Sequence, residues 1–130
     1  MTPLVGIVLV SHSAEIALAL RSLIEQIGCG GVVVATAGGT DDGRTGTSYS
    51  LILKALGTAD AGAGVVVLPD LNSSVPTARL ALRDHPGTHA VIADAPFVEG
   101  AVAAALTAAR GAGLFTVVRA AEDARHAGKF

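Results

Sequence analysis

The chain has 130 residues, 51% of them hydrophobic and 15% charged, with a formal net charge of −2, and this length predicts a single domain over residues 1–130. Its basic residues are scattered and its aromatic residues are one tyrosine and three phenylalanines, which excludes the charged stripe and stacking surface of a nucleic-acid-binding protein. Its one cysteine, Cys29, excludes an intrachain disulfide and a zinc cluster, so no metal site is expected.

Five short, continuous apolar runs are typical of strands that are buried on both faces. They lie at residues 4–10, 32–37, 65–68, 90–93 and 114–118. None approaches the roughly 20 residues that span a bilayer. No basic region precedes the first run, so the sequence predicts no signal peptide, no membrane contact and a cytoplasmic protein.

Four helices are predicted between these runs from apolar residues at helical spacing. The first should end at Gly28 and the second before Gly57, because glycine is common where helices stop. The third should begin within residues 73–76 and run to about Arg83, and the fourth should begin near Pro96. The residues expected to face the core are Ile16, Leu20, Leu23 and Ile27 in the first helix and Val98, Val102, Leu106 and Ala109 in the fourth.

Strands that alternate with helices predict an α/β fold, a doubly wound, mainly parallel five-stranded sheet with helices on both faces. The expected strand order is 2-1-3-4-5, which leaves the last strand at a sheet edge that needs a cover. Residues from Ala120 onward are expected to form a short helix or a frayed end.

Polar residues follow the predicted strands, at the point where each strand ends. They are His12, residues 38–42, Asp70, residues 72–74 and Asp94. Because the carboxyl ends of parallel strands share one rim, and strands one and three are neighbours, His12 and Asp70 should lie on two sides of one cleft. An imidazole with one nitrogen held by a carboxylate is a nucleophile toward phosphorus. The alternative is an ordinary surface histidine without a role.

The stretch "GGTDDGRT" at residues 38–45 almost matches a nucleotide phosphate-binding loop. We reject that interpretation, because Asp41 and Asp42 would repel nucleotide phosphates and Arg44 stands where the loop requires lysine. The stretch is better explained as a flexible loop whose glycines allow close backbone approach. The other histidines, expected to have no role at the rim, are His85, His89 and His126.

Four motifs in order, "GIVLVSHS", "AGGTDDGRTGTS", "VVVLPDLNSSVPTARLAL" and "DAPFVEGAVAAAL", span about residues 5–113. Together they resemble the phosphotransfer subunits of phosphoenolpyruvate-dependent dihydroxyacetone kinases, relatives of the mannose-type IIA domains of the sugar phosphotransferase system. The resemblance implies a homodimeric phosphocarrier without a bound cofactor, in which dimerisation covers the edge left by the last strand. His12 would accept phosphate covalently from the histidine phosphocarrier protein and pass it to ADP bound on a kinase subunit.

The resemblance also implies that Asp70 supports His12, and the ring nitrogen that does not face Asp70 should be the nucleophile. Backbone N–H groups after Ser13 and in residues 72–74 are expected to receive phosphoryl oxygens. Asn72 departs from the glycine that is usual in these subunits, although asparagine also tolerates left-handed backbone. The expected phosphate-binding residues are Ser13, Gly39, Thr40, Asn72, Ser73 and Ser74.

Two alternatives stay open at this point. A sugar-transporter IIA domain shares the chemistry but has a different acceptor, and the motifs "GGTDDG" and "APFVEGA" favour the kinase branch by resemblance. A regulatory module that binds an anion without covalent chemistry would use the same rim. In either phosphocarrier, both protein partners should contact Ala14, Ile16 and Ala17 on the first helix and residues 72–75.

Overall fold

The computed structural model describes residues 2–130, in which four parallel strands form one sheet with the order β2-β1-β3-β4. The strands are β1 (Gly6–Ser11), β2 (Val34–Gly38), β3 (Val65–Pro69) and β4 (Ala90–Ile92). The first strand lies between two neighbours, with Ile7 beside Val34 on one side and Val66 on the other. All six residues of β1 are consequently buried, which explains its continuous apolar run.

Helices cover both faces of this sheet, as the sequence predicts. The helices are α1 (Ala14–Ile27), α2 (Tyr49–Ala59), α3 (Val75–Arg83), α4 (Phe97–Ala109) and α5 (Leu114–Asp123). Short 3-10 helices occupy Asn72–Ser74 and Ala124–His126. One face carries α1, α4 and α5, and the other carries α2 and α3. Within residues 2–130, no helix is both long enough and apolar enough to cross a bilayer.

The predicted fifth strand is wrong, because residues 114–118 form the first half of α5. Leu114, Val117, Val118 and Ala121 follow helical spacing, and the last three are buried against the core that includes α4. The apolar run therefore reflects one helix face rather than a strand buried on both sides. The sheet has four strands in the described chain, and β4 takes the edge position expected for the fifth.

The predicted core faces of α1 and α4 are also wrong in part. In α4 the buried residues are Gly100, Ala101, Ala104, Ala105 and Ala108, whereas Val98 and Leu106 are exposed. In α1 the buried residues are Ala17, Leu20 and Ile24, whereas Ile16, Leu23 and Ile27 are exposed. Small residues occupy most of the buried face of α4, because they let the helix backbone approach its neighbours closely. A Cβ on Gly100 would lie 2.9 Å from the Cβ of Ala95 and 3.3 Å from the carbonyl oxygen of Ala121.

The helix ends follow the predictions at Gly28 but not at Gly57. Gly28 has a φ of 94° and its N–H donates to the carbonyl of Glu25, which ends α1 in the left-handed conformation that glycine favours. The second helix continues through Gly57 to Ala59 and is capped by Asp60. A glycine in a helical conformation weakens a helix without ending it.

Candidate active site

The carboxyl ends of β1 and β3 bring His12 and Asp70 together. Val10 pairs with Pro69 in the parallel register, and the N–H of Asp70 donates to the carbonyl of Val10 at 2.9 Å. The next residues of the two strands must therefore emerge side by side. His12 Nδ1 lies 3.0 Å from Asp70 Oδ1, in the arrangement expected of the two residues.

The carboxylate of Asp70 accepts hydrogen bonds from five donors. Its Oδ1 accepts from His12 Nδ1 at 3.0 Å, from Ser74 Oγ at 3.0 Å and from the Leu71 N–H at 2.7 Å. Its Oδ2 accepts from Ser11 Oγ at 2.9 Å and from the His12 N–H at 3.0 Å. This network fixes the carboxylate in one orientation.

The hydrogen bonds also set the charge of this carboxylate. Burial raises the pKa of Asp70, but the hydrogen bonds from the side chain and backbone of His12, from Ser11 and from Leu71 outweigh it and lower the pKa to about 2. Asp70 is therefore ionised at neutral pH and can only accept hydrogen bonds. Its partner atom, Nδ1 of His12, must carry the proton.

The second ring nitrogen of His12 is consequently an acceptor in the neutral imidazole. Its Nε2 lies 2.8 Å from Ser73 Oγ, whose hydroxyl donates to it. Ser74 Oγ lies 3.2 Å from Nδ1, so it neighbours the ring as well as Asp70. The His12 side chain is 19% exposed. The ring thus presents a lone pair near the surface on Nε2 and a proton toward Asp70 on Nδ1.

The backbone of His12 is held between strand and helix. Its N–H donates to Asp70, and its carbonyl accepts from the Gly46 N–H at 3.0 Å. The next residue, Ser13, is the N-cap of α1: its N–H donates to Ser11 Oγ, and its hydroxyl accepts from the N–H of Ile16. The N–H of Ser13, a predicted phosphate-binding residue, is therefore already engaged.

Within residues 38–47, hydrogen bonds to β1 and inside the loop engage the backbone N–H groups of Gly39 and Thr40. The Gly39 N–H donates to the Ser11 carbonyl at 2.9 Å, and the Thr40 N–H donates to the Arg44 carbonyl at 2.9 Å. The Thr40 hydroxyl donates to Asp42 and accepts from the Arg44 N–H. The backbone donors of Gly39 and Thr40, both predicted to bind phosphate, are thus occupied.

The other predicted phosphate-binding residues form a 3-10 helix beside the ring. Among residues 2–130 only glycines have positive φ, so Asn72 needs no left-handed backbone there. Ser74 is buried, and its N–H donates to the Leu71 carbonyl. In the described chain the N–H groups of Asn72 and Ser73 have no acceptor, and they are available to an anion at Nε2.

Sequence reasoning missed two residues that position His12. Ser11 is fully buried and bridges Asp70 and Ser13 through its hydroxyl, and Gly46 binds the His12 carbonyl. A serine directly after four buried apolar residues was the available signal for Ser11, because a buried hydroxyl requires a partner. Gly46 had no local signal, since its contact depends on how the loop returns to β1.

The remaining predictions about histidines and partner surfaces have mixed outcomes. His85 Nδ1 lies 2.9 Å from Thr88 Oγ1, before β4 and so at the opposite end of the sheet from His12. The side chain of Ala17 is fully buried, so its predicted contact with protein partners is wrong. Ile16 is 52% exposed in the first turn of α1 and is open to such a contact.

Comparison with known proteins supports a relationship over most of the chain. A family model described as "PTS system fructose IIA component" matches residues 6–118. The phosphoryl donor subunit DhaM of PEP-dependent dihydroxyacetone kinase 2 from Listeria innocua is 34% identical over 106 residues, 79% of this chain and 85% of that protein. The phosphotransferase subunit DhaM of the PTS-dependent dihydroxyacetone kinase from Lactococcus lactis is 31% identical over 107 residues, 82% of this chain and 85% of that protein.

Solved structures share the same fold. A crystal structure of a protein of unknown function matches with a TM-score of 0.81 and 32% identity, covering 97% of this chain and 96% of that one. The dihydroxyacetone kinase of C. freundii in its native form matches with a TM-score of 0.60 and 18% identity. That match covers 92% of this chain and 24% of the kinase, and it shows a shared fold alone.

Proposed function

We propose that this chain, which belongs to the family of PTS system fructose IIA components, carries a phosphoryl group on Nε2 of His12. One observation carries the proposal: an ionised Asp70 accepts from Nδ1, so the accessible Nε2 holds the lone pair. That pairing of a carboxylate with an imidazole orients a nucleophile and fixes its tautomer.

The transfer into this chain exchanges one P–N bond for another. The Nε2 lone pair of His12 attacks the phosphorus of a phosphohistidine on the histidine phosphocarrier protein, and the donor's P–N bond breaks with its electron pair returning to the donor ring. The proton on Nδ1 stays where it is, hydrogen-bonded to Asp70. The carboxylate stabilises the positive charge that develops on the ring as Nε2 forms the new bond.

The transfer out of this chain breaks the same Nε2–P bond, with a different acceptor. A terminal oxygen of ADP, bound on a separate kinase subunit, attacks the phosphorus, and the Nε2–P bond breaks with its electrons returning to Nε2. Phosphoryl transfer depends mainly on positioning and charge stabilisation, so the acceptor can supply the magnesium and cations that its nucleotide needs. The names of the two DhaM relatives, a phosphoryl donor subunit and a phosphotransferase subunit, support this acceptor over a sugar transporter.

The 3-10 helix supplies the groups that would hold the carried phosphoryl oxygens. The Ser73 hydroxyl lies 2.8 Å from Nε2, and the N–H groups of Asn72 and Ser73, in the same 3-10 helix, have no acceptor in the described chain. When phosphorus occupies Nε2, the hydroxyl loses that acceptor and can donate to a phosphoryl oxygen instead. These neutral donors stabilise the phosphoryl group without binding it so strongly that it cannot leave.

The test is intact-mass measurement after incubation with phosphoenolpyruvate and the general phosphotransfer proteins. We expect a gain of one phosphoryl group, lost in His12→Ala and kept in His126→Ala, a matched change at an exposed histidine. The phosphorylated protein is then mixed with free ADP, an ADP-loaded kinase subunit and a mannose-type IIB domain. Discharge only to the IIB domain would assign the chain to sugar transport, and no mass gain would leave a non-covalent anion binder.

A further inference from the structure

Two glycines of one loop bind the backbone carbonyls on either side of the His12 Cα. The Gly39 N–H donates to the Ser11 carbonyl at 2.9 Å, and the Gly46 N–H donates to the His12 carbonyl at 3.0 Å. Both glycines lie in residues 39–48, which connect β2 to α2. The backbone of the proposed phosphate acceptor is therefore held in part by a loop whose own conformation must be maintained.

The remaining two polar groups of this backbone have partners outside that loop. The His12 N–H donates to the Asp70 carboxylate at 3.0 Å, and the Ser13 N–H donates to Ser11 Oγ at 3.0 Å. A peptide group is planar, so fixing both its carbonyl and its N–H fixes its orientation. Each of the two peptide groups beside the His12 Cα is held in this way, and the loop supplies one of the two hydrogen bonds in each case.

Thr40 closes the loop between the two glycines. Its N–H donates to the Arg44 carbonyl at 2.9 Å, and its hydroxyl oxygen accepts from the Arg44 N–H at 3.0 Å. The same hydroxyl donates to the Asp42 carboxylate. The Thr40 hydroxyl thus adds two hydrogen bonds to the backbone bond that closes the loop.

The closed part of the loop packs against both glycines. A Cβ on Gly39 would lie 2.7 Å from the Arg44 carbonyl oxygen, and a Cβ on Gly46 would lie 2.8 Å from the methyl carbon of Thr40. Groups packed this closely do not move independently of one another. A change in the contact between Thr40 and Arg44 is therefore transmitted to the two N–H groups that bind the carbonyls beside His12.

We propose that Thr40 is a positioning residue for His12, because its hydroxyl holds the loop in the form that presents the Gly39 and Gly46 N–H groups to those carbonyls. This inference rests on the proposed phosphocarrier function. It replaces the phosphate contact expected of Thr40 from the sequence. Asp70 fixes the ring tautomer, so Thr40 acts on the position of Nε2 and leaves the proton on Nδ1.

The experiment compares the full-length variants Thr40→Val and Thr40→Ser with Thr116→Val. Valine keeps the size of threonine and removes the hydroxyl, whereas serine keeps the hydroxyl. Thr116 is a matched control, because it is an exposed threonine on α5, outside the loop.

Amide hydrogen exchange in the unphosphorylated proteins, followed by NMR, reports on the loop itself. We expect the Gly46 N–H to exchange roughly tenfold faster in Thr40→Val than in the wild type, and to stay within about threefold of the wild type in Thr40→Ser. Exchange of the α4 N–H groups should be unchanged, which separates local opening of the loop from a loss of overall stability.

Rapid-quench kinetics of phosphate uptake from the phosphorylated histidine phosphocarrier protein report on the chemistry. We expect Thr40→Val to lower the maximal uptake rate roughly tenfold, because small displacements of a reacting atom are costly. The donor concentration that gives half the maximal rate should stay within about twofold of the wild-type value, because Thr40 does not bind the donor. Thr40→Ser should recover most of the rate.

Unchanged Gly46 exchange in Thr40→Val, a normal uptake rate despite faster exchange, or an equal loss in Thr116→Val would overturn this inference alone. Slower uptake with unchanged exchange would indicate a direct phosphate contact and would overturn it as well. A wild-type protein that takes up no phosphate would overturn the proposed function, and with it the role of Thr40 in transfer, whatever the exchange rates show.

Discussion

Asp70 accepts both the ring Nδ1–H and the backbone N–H of His12, on different carboxylate oxygens and at 3.0 Å each. One side chain therefore fixes the position of residue 12 and the tautomer of its imidazole at the same time. The same carboxylate satisfies the buried hydroxyl of Ser11. Chemistry and stability thus depend on one group.

Replacing Asp70 by asparagine should slow phosphate uptake by roughly 10- to 100-fold, because the amide can donate to Nδ1 and place the ring proton on Nε2. Uptake is measured by rapid quench with phosphorylated donor. Asp123→Asn, an exposed carboxylate in the last turn of α5, is the control. A normal rate in Asp70→Asn would remove Asp70 from the mechanism.

The lowered pKa of Asp70 should make the stability of the protein depend on pH in the acidic range. The folded pKa of Asp70, about 2, lies below the ordinary value of 3.8. Its stabilisation is therefore complete above the unfolded value and is lost as pH falls through the folded one. By linkage it contributes about 2 kcal/mol at neutral pH. Denaturant unfolding of wild type and Asp70→Asn should show a stability difference that shrinks from pH 5 toward pH 2, and a constant difference would contradict the assignment.

Two adjacent serines should separate function from stability. Ser74 is buried and donates to Asp70, so Ser74→Ala should lower the free energy of unfolding by about 1 kcal/mol. Ser73 is exposed and bonds to Nε2, so Ser73→Ala should leave stability unchanged and slow phosphate transfer several-fold. Thermal unfolding measures the stability of each variant, and rapid-quench kinetics measure its rate of phosphate transfer. Equal losses of unfolding free energy in Ser73→Ala and Ser74→Ala would contradict the buried position of Ser74 and the exposed position of Ser73.

Gly38 and Gly57 should respond oppositely to alanine. A Cβ on Gly38 would lie 2.5 Å from Ala14 Cα and 2.9 Å from the Ser13 carbonyl oxygen, so the substitution should push α1 away from β2 and cost roughly 1–3 kcal/mol. A Cβ on Gly57 meets nothing within 4 Å, and Gly57→Ala should stabilise α2 by up to about 1 kcal/mol. Chemical denaturation measures the change in unfolding free energy for each variant, and we expect a loss in Gly38→Ala and a gain in Gly57→Ala.

We predict a homodimer, now with an interface on α1 and α4 rather than on a fifth strand. These neighbouring helices expose several large apolar side chains, among them Ile16, Leu23 and Ile27 on α1 and Val98 and Leu106 on α4. Apolar surface of this kind, where it is contiguous, marks an interaction site. Leu23→Glu should therefore shift sedimentation toward a monomer, whereas Ser22→Glu, a charge on the adjacent exposed position, should not. A wild-type protein that sediments only as a monomer at micromolar concentration would contradict this expectation.

Local pattern predicts much of the site because strand ends can be located from sequence. The apolar run before His12 and the one before Asp70 are continuous and end in polar residues, and parallel strands place such ends on one rim. The resemblance adds the chemistry. Neither source reveals that the N–H groups of Gly39 and Thr40 are already engaged, by the carbonyls of Ser11 and Arg44.

The sequence by itself determined the α/β class and the position of His12 and Asp70 at strand ends, because both depend on short-range periodicity. The order of β1 to β4, which brings His12 to Asp70, comes from a common doubly wound topology and is confirmed by the structure. Only the tertiary structure decided that residues 114–118 are helical and that alanines, not larger side chains, form the buried face of α4. A short apolar run fits a strand or a helix equally well, and the face a helix buries is set by how closely its neighbours approach. Both outcomes depend on contacts between segments far apart in the chain.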